Sequence, residues 1–104
     1  MTDVEVNADG PEIDEDDDGA TRVSAPIAAA VLRHIALSLV DDTDAVRVEE
    51  LSGRGRRVKL AVTVASDDFG RLIGRRGRVA AAVRAVVAAA AVRDGTDVEV
   101  EFVE

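Results

Sequence analysis

The chain has 104 residues, the length of one domain, and carries 21 acidic against 13 basic residues for a net charge of −8. Hydrophobic residues make up 47% and aromatic residues only 2% (Phe69 and Phe102), so a core must be built from Val, Leu, Ile and Ala. The absence of Cys excludes disulfides, thiolate metal sites, iron–sulfur clusters and a Cys nucleophile, and a lone His, His34, excludes a poly-His metal site. No uncharged apolar run reaches the roughly 18 residues that a membrane span requires. The N-terminus is acidic where a secretory signal is basic, so a cytoplasmic protein is expected.

Charge is distributed unevenly. Residues 1–21 hold nine acids and no base, while residues 22–104 hold thirteen bases against twelve acids, a net +1. Few large apolar groups accompany the acids, so residues 1–22 read as a disordered acidic tail and residues 23–104 as the folded domain. The tail is either a solubility-enhancing extension or a polyanion that competes with another polyanion. Residues 54–84 are the reverse, with nine bases against Asp67 and Asp68.

Ser24 and Pro26 predict a helix start, with Ser24 as N-cap and Pro in the first turn. Ala28, Val31, Leu32, Ile35 and Leu39 then share a face at a 3.6-residue period, with His34 on its flank. The helix ends near Val40, and Asp41–Asp44 reads as a loop. Val46 and Val48 alternate with Arg47 and Glu49 in a strand over about 45–51, closed by a Ser52-Gly53-Arg54-Gly55 turn. A second strand over 56–64 points Val58, Leu60, Val62 and Val64 one way and Arg57, Lys59, Ala61 and Thr63 the other, as a hairpin covered on one face requires.

Ser66 is the expected N-cap of a short helix over 67–73 with Phe69, Leu72 and Ile73 on its apolar side. Asp67 and Asp68 fall in its first turn, at the positive end of the helix dipole. After Gly74-Arg75-Arg76-Gly77 a long helix over 78–93 is expected to bury Val79, Val83, Val86 and Ala90. Ala81, Ala85, Ala88 and Val92 share a different face, which is either a run of good helix formers or a contact surface. Asp94-Gly95 stops that helix with Gly at C′, and Val98, Val100 and Phe102 alternate with Glu99 and Glu101 in a last strand over 97–103. The order is α-β-β-α-α-β, an α+β fold with a three-stranded sheet and three helices packed on one face.

The chemistry sits in the Gly-x-x-Gly turn between two helices. Two glycines allow a sharp bend and a close ligand backbone, the following helix offers N–H groups and a positive dipole end, and two arginines add charge. The turn is suited to phosphate. The Gly-Lys-Ser/Thr ending of a nucleotide-binding P-loop is absent, and Asp67 and Asp68 are adjacent, without a nucleophile or base set, so the chain is not read as an enzyme. Scarcity of aromatics counts against folds that stack bases on aromatic rings.

The stretch from Asp67 through Arg78, followed by Ala81, Val83 and Arg84, resembles a type II KH domain and, more narrowly, the KhpA family of small bacterial RNA-binding proteins. The resemblance covers about residues 23–104. It implies that Gly74, Arg75, Arg76 and Gly77 clamp the backbone of single-stranded RNA. It implies an aliphatic groove near Leu72, Ile73 and Val79, with Arg57, Lys59 and Ala61 opposite. Arg71, Arg78 and Lys59 complete the candidate RNA contacts. The implied partners are single-stranded RNA and either a second copy or a Jag-type KH-containing protein, with no cofactor, metal or membrane. The implied role is RNA chaperone or post-transcriptional regulator. The alternatives are a protein-interaction module or a ribosome-assembly adaptor using the same fold.

Overall fold

The computed structural model describes residues 23–52 and 55–104. The acidic segment 1–22 and the Gly53-Arg54 part of the expected hairpin turn lie outside the described residues. Three helices, α1 (Pro26–Leu39), α2 (Ser66–Ile73) and α3 (Arg78–Asp94), accompany three strands, β1 (Arg47–Ser52), β2 (Arg57–Thr63) and β3 (Asp97–Val103). The order is the expected α-β-β-α-α-β. A 3₁₀ turn, Thr43–Ala45, occupies the expected Asp41–Asp44 loop and delays the first strand to Arg47.

The sheet runs β1-β2-β3. β1 and β2 form the antiparallel hairpin, with Val48 opposite Val62 and Glu49 opposite Ala61. β3 joins β2 in parallel, with Leu60 opposite Val100 and Ala61 opposite Glu101. The helix pair α2–α3 makes the crossover that a parallel pair requires. Period-2 alternation sends Val58, Leu60, Val62 and Val100 toward the helices, where they join Leu32, Ala36, Leu72, Val83, Val87 and Ala91 in one core. Ala61 faces the other way yet is buried. It is a small side chain on the central strand, directly between Glu49 and Glu101.

The core stripe of α3 is Ala80, Val83, Val87 and Ala91, about one position on from the expected Val79–Ala90 row. Val86 is consequently 51% exposed. The helix is so rich in Ala and Val that neighbouring rows are nearly equal in hydrophobicity, and α1 and β3 select among them by packing.

Both expected serine N-caps are absent. Ala25 is the N-cap of α1, with Pro26 in the first turn. Two remote carboxylates serve that helix start: Asp94 Oδ1 and Oδ2 accept the Ile27 and Ala28 N–H groups at 3.1 and 2.9 Å. Glu50 Oε2 accepts the Ala25 N–H at 2.6 Å, and its carboxylate takes the Ser24 hydroxyl at 3.0 and 3.2 Å. Asp94 is the last residue of α3, so α1 begins where α3 ends. That end closes on Gly95 at φ 71°, whose N–H donates to Val92 while Thr96 N–H donates to Ala91. This is a Schellman motif. Ala65 rather than Ser66 precedes α2 as its N-cap.

Candidate nucleic-acid interface

At the opposite end of α3, α2 gives way to a 3₁₀ turn over Arg75–Gly77 and α3 follows at once. Gly74 takes φ 77° and ψ 170°, a conformation open in practice only to glycine. A Cβ there would also stand 2.7 Å from Val79 Cβ and 2.9 Å from its backbone nitrogen. Gly74 thus packs directly against the first turn of α3. Gly77 adopts φ 73° in the left-handed region with open space around it. Arg76 is the one described non-glycine residue with positive φ, at 57°. Consecutive left-handed residues at 76 and 77 turn the chain back into α3.

Gly74 N–H donates to Gly70, Gly77 N–H to Gly74 at 3.1 Å and Arg78 N–H to Arg75, leaving the amides of Arg75 and Arg76 outside the backbone pairing. No side chain caps α3. Arg75, Arg76 and Arg78 are exposed and make no ion pair among the described residues. Five of the candidate residues, Gly74 to Arg78, therefore form one cationic tip, with its three arginines exposed and its two glycines half-buried.

Arg71 differs from them. Its guanidinium lies 2.9 Å from Asp41 Oδ2 and 3.3 Å from Asp68 Oδ1. Asp68, 3% exposed, also accepts the Asp41 and Asp42 N–H groups at 3.1 Å each. Those backbone donors, from Asp42 first and then Asp41, hold the Asp68 carboxyl below its ordinary value, Arg71 assists, and burial opposes. Arg71 is raised in turn, chiefly by its hydrogen bond to Asp41. Asp68 thus ties α2 to the segment after α1 instead of capping its own helix.

Two clefts flank α3. On the β3 side a cleft of about 390 Å³ is lined by Lys59, Phe69, Ile73, Arg84 and the run Glu99–Phe102. Within it the Arg84 guanidinium carbon stands 4.8 Å from the centre of the Phe102 ring, and Lys59 Nζ lies 3.9 Å from Glu101. On the α1 side a second cleft of about 350 Å³ is lined by Ile35, Leu39, Arg78, Val79, Ala82, Val83 and Val86. The structure brings Ile73 and Lys59 together but places Val79 in the other cleft. Leu72 is fully buried in the core and lines neither, because α2 turns it inward. β3, rather than Arg57 and Ala61 of β2, supplies the wall facing Ile73. Arg84, Phe69 and Phe102 were missing from the candidate residues. The signal for Arg84 was its membership of the basic run, two helical turns beyond Gly77; its partner Phe102, 18 positions later, depends on the parallel β2–β3 pairing. Among the described residues no set of three or more His, Asp or Glu side chains is arranged to hold a metal ion, and no helix is long and apolar enough to cross a membrane.

A family model described as KhpA/KhpB, KH domain, matches residues 29–102. RNA-binding protein KhpA of Clostridium acetobutylicum is 44% identical over 73 residues, which cover 70% of this chain and 96% of that protein. RNA-binding protein KhpA of Leifsonia xyli is 43% identical over 76 residues, covering 73% and 96%, and that of Mycobacterium bovis is 46% identical over 67 residues, covering 64% and 80%. Among solved structures, Aquifex aeolicus Era bound to GDP and aluminium fluoride superposes with a TM-score of 0.53 at 20% identity. That match covers 76% of this chain and 30% of Era, and is a likeness of fold.

Proposed function

Because the chain belongs to the KhpA/KhpB KH-domain family, we propose that it binds single-stranded RNA without catalysis, clamping the sugar–phosphate backbone at Gly74–Gly77. The observation that carries this reading is the pair of arginines at 75 and 76 on an uncapped turn, with their amides and guanidinium groups unengaged. A phosphate there meets N–H donors, the positive end of α3 and fixed cationic charge. Gly77, with open space around it, keeps the approach clear of a Cβ, while Gly74 lets the loop fold against Val79. Bases leaving the clamp enter the β3-side cleft, where Ile73 and Phe69 supply apolar contact and Arg84 a planar cation. Arg78 and Lys59 add long-range attraction, and Arg71, whose Nη1 is held by two carboxylates, adds less because its charge is already countered.

One clamp holds few nucleotides, so useful affinity calls for a second domain in the same complex. Val92, 75% exposed, lies with Ala81, Ala85 and Ala88 on the outward row of α3. That row is the surface for pairing with a second copy or a larger KH-containing partner. In that form the protein acts in the cytoplasm as an RNA chaperone or post-transcriptional regulator.

The test is the double substitution R75D/R76D in the full chain. Each arginine lost from a phosphate removes a charge-assisted hydrogen bond, and two together weaken binding of a single-stranded oligonucleotide by roughly a hundredfold. The melting temperature stays unchanged, because neither side chain is buried. In the unsubstituted protein log K falls with log salt with a slope of about −0.7 per phosphate neutralised. Retained binding in the double variant, or a flat salt dependence, removes the clamp and favours a protein-interaction module.

A further inference from the structure

The β3-side cleft carries two carboxylates, Glu99 and Glu101, along a path that the RNA-binding reading gives to a polyanion. A carboxylate there repels phosphate, so it is useful only to a ligand group that can donate to it. The two are not equivalent. Lys59 stands opposite Glu99 in the β2–β3 pairing, yet its Nζ reaches Glu101 Oε1 at 3.9 Å. The Glu99 side chain makes no ion pair or hydrogen bond among the described residues. Arg84, in the same cleft, is set over the Phe102 ring at 4.8 Å and leaves Glu99 unpaired. Glu99 thus keeps both carboxylate oxygens open in a cleft that also holds an aromatic ring and a planar cation.

We propose that Glu99 makes this cleft selective for guanine, accepting the N1–H and 2-amino N–H of one base delivered from the clamp; the inference deepens, and rests on, the RNA-binding reading. An ionised carboxylate is acceptor-only, with two oxygens side by side. Among the four RNA bases only guanine carries two adjacent donors on its Watson–Crick edge, spaced to meet both oxygens. Adenine and cytosine place one amino donor beside a ring nitrogen whose lone pair faces the second oxygen. Uracil flanks its single N–H with two carbonyl oxygens. Glu99 therefore rewards guanine and repels part of each other base, which is discrimination from both sides. Nothing else in the site separates the bases as sharply. Contacts to phosphate at Gly74–Gly77 carry no sequence information, and stacking against the Arg84 and Phe102 planes accepts any base. A two-point contact to a base edge discriminates by about five- to a hundredfold. Glu99 is exposed, so solvent screening holds the effect to roughly five- to tenfold.

The experiment uses the full chain and short oligouridylates whose central residue is uridine, guanosine, inosine, adenosine or cytidine, read by anisotropy at fixed salt. Inosine keeps the N1–H of guanosine and lacks its 2-amino group. The guanosine probe is expected to bind roughly five- to tenfold tighter than the other four. E99Q is expected to bring guanosine and inosine to equal affinity, because an amide offers one acceptor oxygen where the carboxylate offers two. E49Q removes the same charge from β1, outside the cleft, and is expected to keep the preference. Equal binding of the guanosine and inosine probes by the unsubstituted chain, or a preference that survives E99Q, overturns the assignment. A preference lowered as much by E49Q as by E99Q also overturns it, since overall charge and not contact then sets the order. The all-uridine probe reports the clamp separately, through its loss of binding to R75D/R76D. If that loss is seen and guanosine gains nothing, the role of Glu99 is refuted and the clamp stands. If no probe binds, both fall.

Discussion

The two ends of α3 are built from similar materials and finished in opposite ways. At the Asp94 end three charged side chains are engaged in holding the chain: Asp94 caps α1, Glu50 holds Ala25 and Ser24, Arg56 Nε donates to the Gly95 carbonyl at 3.2 Å, and the helix closes in a Schellman motif. At the Gly77 end no side chain caps the helix, two residues sit in the left-handed region, and three arginines are unpaired among the described residues. Satisfied polar groups hold a fold together, whereas unsatisfied donors held rigidly in place are available to a ligand. The same contrast separates Arg71, bound by Asp41 and Asp68, from Arg75 four residues later.

The largest way to break this contrast is at Gly74. G74A forces a side chain into a glycine-only conformation and against the Val79 backbone, so unfolding free energy should fall by about 1–3 kcal/mol and RNA binding should be lost. G77N, in open space and a region Asn tolerates, should cost less than about 1 kcal/mol of stability while its side chain, standing in the clamp, weakens RNA binding. Equal damage from both, measured by chemical denaturation, would mean that the close approach at Gly74 does not shape the loop. At the other end, D94A removes the cap of α1 and should cost about 1 kcal/mol with RNA affinity unchanged. A loss of affinity there would join the two ends that the structure keeps apart.

Acid sharpens the contrast next. Asp68 binds its proton less readily when folded than its ordinary value of 3.8. The stability it contributes is therefore present above that pH and lost as pH falls below it toward the lower folded value. D68N should lower the melting temperature at neutral pH and flatten its decline below pH 4, and an unflattened decline would show that other carboxylates control acid unfolding. The smallest effect is expected at Arg84. R84Q gives up one exposed cation–aromatic contact with Phe102, worth about 0.5–1 kcal/mol. It should weaken RNA binding about two- to fivefold in a filter-binding or anisotropy assay. No change would place the bases outside the β3-side cleft.

The element order, the sheet faces and the Gly-x-x-Gly tip were legible from the sequence, because period-2 alternation in β2 and β3 and glycine punctuation at 74, 77 and 95 are local signals. Three things were not. The helix caps come from Asp94 and Glu50, which are distant in sequence, so nearby serines misled. The buried row of α3 slipped by about one position because an Ala/Val helix offers several nearly equal rows. The two clefts were merged into one groove because assigning Ile73 and Val79 to opposite sides of α3 requires knowing where β3 and α1 pack. In each case the missing information was a tertiary contact.

The central claim is that the Gly77 end receives the ligand and the Asp94 end does not. Titration of isotope-labelled protein with oligouridylate reads this residue by residue. The account predicts shifts concentrated at Ile73–Val79, Arg84 and Glu99–Phe102, with Ala25–Ala28 and Ala91–Asp97 unmoved. Shifts centred on the Asp94 end, with Gly74–Gly77 silent, would contradict it.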